Sequence, residues 1–593
     1  MSEFPGASTT NCIDKKSSMP DPSVDRSTGS KVANDRLESW KEIAAYLKRD
    51  IRTVQRWESR EALPVHRQQH ERSGSVYAYR SEIDRWRGAR RLTPTRNGKS
   101  EFLWLYVPIV VVAAVSLAAY LWVRSEDGHT SPLHAVAVLP LENLSGDASQ
   151  DYLTEGLTDE IITDIAKLGG VRVISRTSVM RYKGSRHSIP EIARQLNVDA
   201  VVEGSYERLG DKVRLRVQLI RAATDQHIWA EGYDRELGDI FHLESEVARD
   251  IAVHVKLRLG QNQSQSVSKT HPVDPQAFQD YLRGRHYWAL RTKDGLQKAL
   301  RYFGSAIQKD PNDARSYAGL AHCYLVLPFL TEMSPAEGFE NARQEADRAL
   351  ALDPTLPEAH LANAEVLMYH DWNLQRAEQE FRRTLDLNLN DSTAHQWYGE
   401  FLVLLGRSEE AIREEQTALA LDPLSVVVHH ELAGILRDAG HYEESVRAYQ
   451  ETVKMDPQFA PAYWEMARAL RWQRKFPESI RALQQGAEGI VREYRLNPAV
   501  IVAIDDLRSA YASSGPIGYF RQSLKVNSYL PGPSYYLARD YAQLGDKEGA
   551  LVELRRSYQN HDPEALWMLK DPELESLRSD PRYRELVLAI GFR

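Results

Sequence analysis

A chain of 593 residues is too long for one hydrophobic core and must divide into several domains. Hydrophobic residues at 42% and charged residues at 27% are ordinary globular values, which excludes a wholly disordered or collagen-like chain. The net charge of −8 conceals an asymmetry: residues 36–96 hold fifteen Lys and Arg against eight Asp and Glu, so a basic piece precedes an acidic remainder.

Residues 1–35 are rich in Ser, Thr, Asp and Pro and read as a disordered tail. Order is expected from Leu37. Ser39 with Glu42 forms a capping-box pattern ahead of the stripe Trp40, Ile43, Ala44 and Leu47. A second helix through RTVQRWESRE turns Val54 and Trp57 inward, and Pro64 ends it. PVHRQQ and SVYAYR flank Ser73–Gly74 as a β-hairpin, and Ser81 is placed to cap a third helix. EIAAYL, RTVQRW, the hairpin and SEIDRW together resemble the MerR/excisionase-type DNA-binding family. The resemblance implies a winged helix-turn-helix over 36–92 that binds double-stranded DNA.

Burial of Val54 and Trp57 leaves Arg52, Thr53, Gln55, Arg56 and Arg60 on the outer face, with Arg67 and Arg72 on or beside the wing. Arginine can grip guanine edges and glutamine adenine edges, while threonine and arginine can hold phosphates. A solvated basic face is the plainer reading of the same residues. His66 and His70 have a spacing that could suit a metal, but no further ligand stands nearby and none is expected.

Residues 102–123, FLWLYVPIVVVAAVSLAAYLWV, carry no charge. A helix of that length is about 33 Å long, enough to cross a hydrocarbon core of about 30 Å. The arginines before it predict a single-pass protein of the bacterial inner (cytoplasmic) membrane, held in the lipid bilayer by an uncleaved signal anchor. The N-terminus would be cytoplasmic and the C-terminal region extracytoplasmic. Cys12 and Cys323 fall on opposite sides, so no intrachain disulfide is expected.

Beyond the linker, HAVAVLP, TEGLTDEIITDIAKLGG, VRVIS, IPEIARQL, DAVVEGSYE, KVRLRVQLI and HIWAEGYDRE read as β-α-β-α-β-β-β, closed by a helix through Val247 and Leu259. AVLPLENLSGD and VVEGSYERLGDKVRLRVQLI resemble the TolB amino-terminal-like family, which implies an α/β domain over 133–260 that contacts envelope proteins. Asp159, Glu160 and Asp164 flank the apolar stripe of the first helix and read as a solvated face.

From 273 to 593 the chain repeats. Asp310–Pro311, Asp353–Pro354, Asp422–Pro423 and Asp456–Pro457, with Asn388–Leu389 standing in, recur at a spacing that settles to 34 residues, the tetratricopeptide period. PFLTEMSPAEGF lengthens the first interval. Small residues recur before each marker, as in Ala299/Phe303/Ala306 and Ala411/Glu415/Ala418, where paired helices approach closely. Seven or eight units and a terminal cap are expected, exposing a concave groove for a protein or peptide. Trp464, Arg468, Arg471 and Trp472 form an aromatic and arginine cluster that suits such a groove or, equally, packing between repeats.

The expected fold class is therefore multidomain: winged helix-turn-helix, one transmembrane helix, an α/β domain and an all-α solenoid. The whole resembles membrane-integrated one-component regulators of the CadC/ToxR type, which implies transcriptional control by an outer signal and, for paired operator half-sites, a homodimer. An envelope interaction scaffold without DNA binding is the competing reading. No phosphate loop, nucleophile elbow or metal set appears, so no catalytic residue, cofactor or enzymatic activity is expected.

Overall fold

The computed structural model describes residues 35–68, 75–89, 133–147, 150–210, 212–236, 240–256, 274–330, 333–530 and 532–591. They belong to two compact units, within 1–126 and 127–593.

The first unit contains β1 (Arg36–Leu37), α1 (Trp40–Leu47), α2 (Ile51–Glu61), β2 (His66–Gln68), β3 (Ser75–Tyr79) and α3 (Arg80–Ala89). Its antiparallel sheet runs β1-β3-β2. Ser39 caps α1 by accepting the Glu42 N–H at 3.3 Å, while the Glu42 carboxylate accepts the Glu38 N–H at 2.9 Å, one residue earlier than a standard capping box. Lys48 in the left-handed region ends α1, and Asp50 caps α2. Leu37, Ile43, Leu47, Val54, Ala78 and Ile83 form the core, flanked by the Trp57 and Trp86 rings at 5.7 Å. One element was not foreseen and one expectation is corrected. Strand β1 has no apolar run to announce it. Ser81 is not the cap of α3: it lies inside the helix and donates to Asp35 at 2.8 Å.

Among the described residues no helix is long and apolar enough to cross a membrane. The single-pass inner-membrane placement is corrected accordingly, together with its assignment of inner and outer sides. Residues 102–123, on which it rested, lie outside the described residues.

The second unit opens with a mixed sheet of order β6-β4-β7-β8-β9, with β5 on the β7 edge. The strands are β4 (Ala135–Val138), β5 (Glu142–Asn143), β6 (Arg172–Val173), β7 (Ala200–Leu209), β8 (Lys212–Arg221) and β9 (Gln226–Glu236). Val213, Leu215, Val217 and Leu219 of β8 are buried, as strict alternation requires, while Arg216 is exposed. Helices Asp151–Leu168 and Ile240–Lys256 follow the expected order; the short helix Arg176–Met180 was not foreseen.

Helix pairs follow without a break in the core. Phe278, Tyr281, Leu282 and Phe303 of the first pair share one cluster with Leu157, Ile161 and Val247 of the α/β domain. Gly156 makes this approach possible, since a Cβ there would lie 2.9 Å from Leu282. The expected solvated face is corrected by the same contact. Asp159 and Glu160 are buried, Asp159 against Arg285 at 2.6 Å and Glu160 against the Tyr281 hydroxyl at 2.9 Å.

The Asp marker has a local cause. Asp310, Asp353, Asn388 and Asp456 each end a helix and accept the backbone N–H two residues on, at 2.8–3.1 Å, forming an Asx turn into the next helix. At Asp422 the turn is completed from outside: Ser178 of the α/β domain donates to its carboxylate and accepts the Leu424 N–H at 2.8 Å. Asn390 likewise takes the Val173 N–H at 3.0 Å and donates to the Val171 carbonyl at 3.1 Å. The α/β domain is thus docked on the turns of the solenoid.

The small residues before each marker are buried, and Phe303, Phe381 and Tyr449 fill the intervening grooves. Glu415 occupies that middle position in its repeat, fully buried, with neither carboxyl oxygen hydrogen-bonded among the described residues. Burial, then Glu431 and Glu400, push its carboxyl well above the usual range. Replacing Glu415 with Leu is therefore expected to stabilise the fold by about 1–3 kcal/mol, read as a higher denaturation midpoint at neutral pH.

The far end of the chain closes the array. Two 3₁₀ turns, Pro563–Leu569 and Pro572–Leu577, and helix Pro581–Ala589 pack into the same cluster as Leu361, Met368 and Phe401 of the third and fourth pairs. Trp372 stacks on His561 at 4.5 Å. Pro563, Glu564 and Trp567 of this cap stand on the wall of the concave groove.

Candidate functional site

Two regions bring chemistry-bearing side chains together. The first is the outer face of α2. Arg52, Gln55, Arg56 and Arg60 are exposed there, and none has a side-chain partner among the described residues. Asp50 fixes the start of the helix through the Thr53 N–H at 2.9 Å. The other expected members separate from this set. The Thr53 hydroxyl donates to Asp50 at 2.7 Å, so its proton belongs to the cap. Arg67 makes a two-point contact with Glu58 at 2.8 and 3.1 Å. Arg72 and His70 lie outside the described residues, and His66 is paired with Glu82 at 2.7 Å.

The second region is a half-open cavity of about 810 Å³ lined by the solenoid. Asp159 and Arg176 of the α/β domain reach it from one side, and Pro563, Glu564 and Trp567 of the cap from another. Trp464 and Arg468 line it. Arg471 does not: it is buried against Asp540 at 3.4 Å and against Glu573. Trp472 is held by Arg437 and Arg468, whose guanidinium carbons lie 5.4 and 5.6 Å from its ring centre. For these two, packing explains the cluster.

The cavity walls carry carboxyls that sequence reasoning missed. Glu365 and Glu400 stand twelve residues after the markers Asp353 and Asn388, and Glu431 and Glu465 nine after Asp422 and Asp456. They fall at two positions of the repeat, about one helical turn apart, so no single register position flags all four. Glu465 is matched by Arg437 and Arg468, and Arg437 also holds Asp438 at 2.7 Å. Glu400 accepts the Tyr369 hydroxyl. Glu431 has no hydrogen-bond or ion-pair partner among the described residues, and Glu365 Oε1 is buried without one.

Burial pushes the Glu431 carboxyl up to about 8, with repulsion from Glu400 and Glu465 adding to it, and pushes Glu400 up to about 7. Glu431 is half-buried by area and lines this cavity. Each group holds its proton more tightly folded than unfolded, so stability falls as pH rises from the ordinary glutamate value of 4.5 to about 8. The denaturation midpoint is expected to drop across that window. Glu431→Gln should flatten the drop; an unchanged slope would contradict the assignment.

At the α/β end Glu155 behaves oppositely. Burial alone would raise it, but hydrogen bonds from His286 and Lys183 and the charge of Arg176 hold it down at about 2.

Residues 133–248 match the family profile described as the HilA/YgeH-like transcriptional regulator, second domain, where the sequence had suggested the TolB amino-terminal-like family. Residues 373–426 and 430–497 match the tetratricopeptide repeat. "Putative adenylate cyclase 3" of Rhizobium meliloti (strain 1021) is 33% identical over 237 residues, 40% of this chain and 40% of that protein. "Anaphase-promoting complex subunit 7" of Mus musculus is 25% identical over 282 residues, 42% of this chain and 45% of that one. The matched regions thus span less than half the length of these two relatives. Among solved structures, a thermophilic TPR protein of Thermus thermophilus is 20% identical over 33% of this chain and 98% of its own, with a TM-score of 0.28. The pilF protein of Pseudomonas aeruginosa is 20% identical over 37% and 93%, with a TM-score of 0.29.

The expectation that the chain has no enzymatic activity is corrected by the first of these relatives, which bears the name of an enzyme. The regulator-type α/β domain and the repeats are what the comparisons share with the sequence reading.

Proposed function

We propose that this protein is a one-component transcriptional regulator: the 36–92 head is a winged helix-turn-helix that binds duplex DNA, and the α/β domain with its solenoid reads a signal. The observation that carries this reading is the exposed, unpartnered row Arg52, Gln55, Arg56 and Arg60 on a capped helix, in one chain with a HilA/YgeH-like regulator domain. The row follows α2 at helical spacing, and α2 is the second of two helices joined by a tight left-handed turn, which suits entry into a major groove. Arg67 and Arg72 would approach the backbone beside it, Arg67 after exchanging Glu58 for a phosphate. Thr53 would support the helix start. Pairing of two heads as a homodimer on neighbouring half-sites belongs to the same proposal.

The repeats support a second reading, a protein-interaction scaffold, because the tetratricopeptide fold suits protein or peptide binding. Chromatin capture of the intact protein separates the two. Enrichment at discrete genomic sites, lost on Arg52→Ala with Arg56→Ala, is expected. A uniform profile in the wild type would favour the scaffold.

A further inference from the structure

Six arginines line the half-open cavity, and all but one face an acidic partner. Arg176 holds Glu155 at 2.9 Å, Arg285 holds Asp159 at 2.6 Å, Arg315 holds Asp313 at 3.3 Å, Arg437 holds Asp438 at 2.7 Å and Arg468 holds Glu465 at 3.0 Å. Arg291 has no side-chain hydrogen bond or ion pair among the described residues. Burial favours the protonated form of Glu365, Glu400 and Glu431, so below pH 7 these wall carboxyls are mostly neutral and do not balance it.

Arg291 stands in the turn between helices Pro275–Trp288 and Lys293–Lys309, at φ 50°. The same turn position is glycine in three later pairs, Gly406, Gly440 and Gly545, as the left-handed region favours. At Arg291 the guanidinium instead lies 3.9 Å over the Trp288 ring centre, which occupies one face and leaves its N–H groups without an acceptor. The Trp288 indole N–H is also buried without one. Burial among the cavity walls pushes the Arg291 guanidinium down to about 10 and Arg285 adds repulsion, so it is charged at neutral pH, and no carboxyl among the described residues acts on it. Beyond it the wall is aromatic: His322 meets Trp288 edge-on and stacks on Trp397, each at 5.8 Å. His322 donates from Nε2 to the Glu358 carbonyl at 2.8 Å, and burial pushes it down to about 4, so its ring is neutral.

We infer that Arg291 marks a subsite for a monocarboxylate on a flat apolar stem: its guanidinium takes the carboxylate in a two-point contact, and the stem lies along Trp288, His322 and Trp397. One uncompensated positive charge calls for one negative charge. This names a ligand class for the signal-reading role proposed for the second unit and rests on that reading only for purpose, since binding can be measured without DNA. A free acid and the C-terminus of a peptide entering the half-open cavity share this chemistry, and the ligands tested separate them.

The test is calorimetric titration of the full-length protein, at a pH of about 6, where the raised carboxyls are mostly protonated, with benzoate, N-acetyl-Ala-Ala-Phe, the C-terminal amide of that peptide and n-butylammonium. Saturable binding of benzoate or of the peptide acid is expected, and which of the two binds names the source of the carboxyl. The amide and n-butylammonium should not bind. Arg291→Gln should weaken binding about tenfold or more, as expected for loss of a charged hydrogen-bond donor. Its denaturation midpoint should match the wild type, because no ion pair is lost, which separates lost binding from lost fold. Arg474→Gln, at the same turn position of a later pair and outside the cavity lining, should bind as the wild type does. The inference is overturned if neither acid binds, if the amide or the ammonium binds equally, if Arg291→Gln binds as the wild type does, or if Arg474→Gln loses as much. A loss of DNA binding with carboxylate binding intact would sink the regulator reading and leave this one standing.

Discussion

Arg52→Ala with Arg56→Ala should lower affinity for a specific duplex by about 2–6 kcal/mol, since each bidentate base contact is worth about 1–3 kcal/mol. Both side chains are exposed and unpartnered, so their removal leaves the core of Leu37, Ile43, Val54 and Ile83 untouched. Circular dichroism of the variant should therefore match the wild type. Arg67→Ala should cost less, because its guanidinium gives up Glu58 before it can meet DNA. An equal loss from Arg67→Ala would place the contact surface on the hairpin rather than on α2.

Arg471→Ala is expected to destabilise the second unit by about 3–5 kcal/mol, because it takes the ion-pair partner from buried Asp540 and leaves buried Glu573 with Arg539 alone. Asp540 and Glu573 are almost fully buried and face Arg471 from helix Ser534–Leu544 and from the cap. Burial pushes both up to about 7 against the pull of Arg471. Below that value they hold protons and need the arginine less; above it they are ionised and depend on it. The loss should thus be deeper at pH 9 than at pH 6. Adding Glu573→Gln should restore part of it, since one under-compensated buried charge beside Asp540 is then gone. A pH-independent loss would mean that Arg471 acts by packing alone.

Much of the local architecture was readable. The alternation of β8 and the Asp marker are short-range devices, each caused by residues a few positions apart. The unread parts depend on distance. Asp159 and Glu160 look like a solvated face until Arg285 and Arg315 arrive from 126 and 155 residues away. Helical periodicity cannot signal that a charged side is covered by an oppositely charged neighbour. Packing of the terminal cap on the solenoid is similar: Trp372 and His561 carry no local pattern that announces their stacking. The cavity carboxyls were harder to read, because they alternate between two positions of the repeat and no single register marks them. In the head, the side-chain types on α2 were legible, whereas the capture of Thr53 by Asp50 and of Arg67 by Glu58 depends on geometry.

The central claim is that the head reads DNA sequence. The most direct measurement is the affinity of the full-length protein for a duplex selected from a random pool, against an unselected duplex, across a salt series. The account predicts a preference of about 10³ or more for the selected site and affinity that falls linearly with log salt, as phosphate neutralisation releases counterions. Equal affinity for both duplexes, or none at low salt, would contradict it.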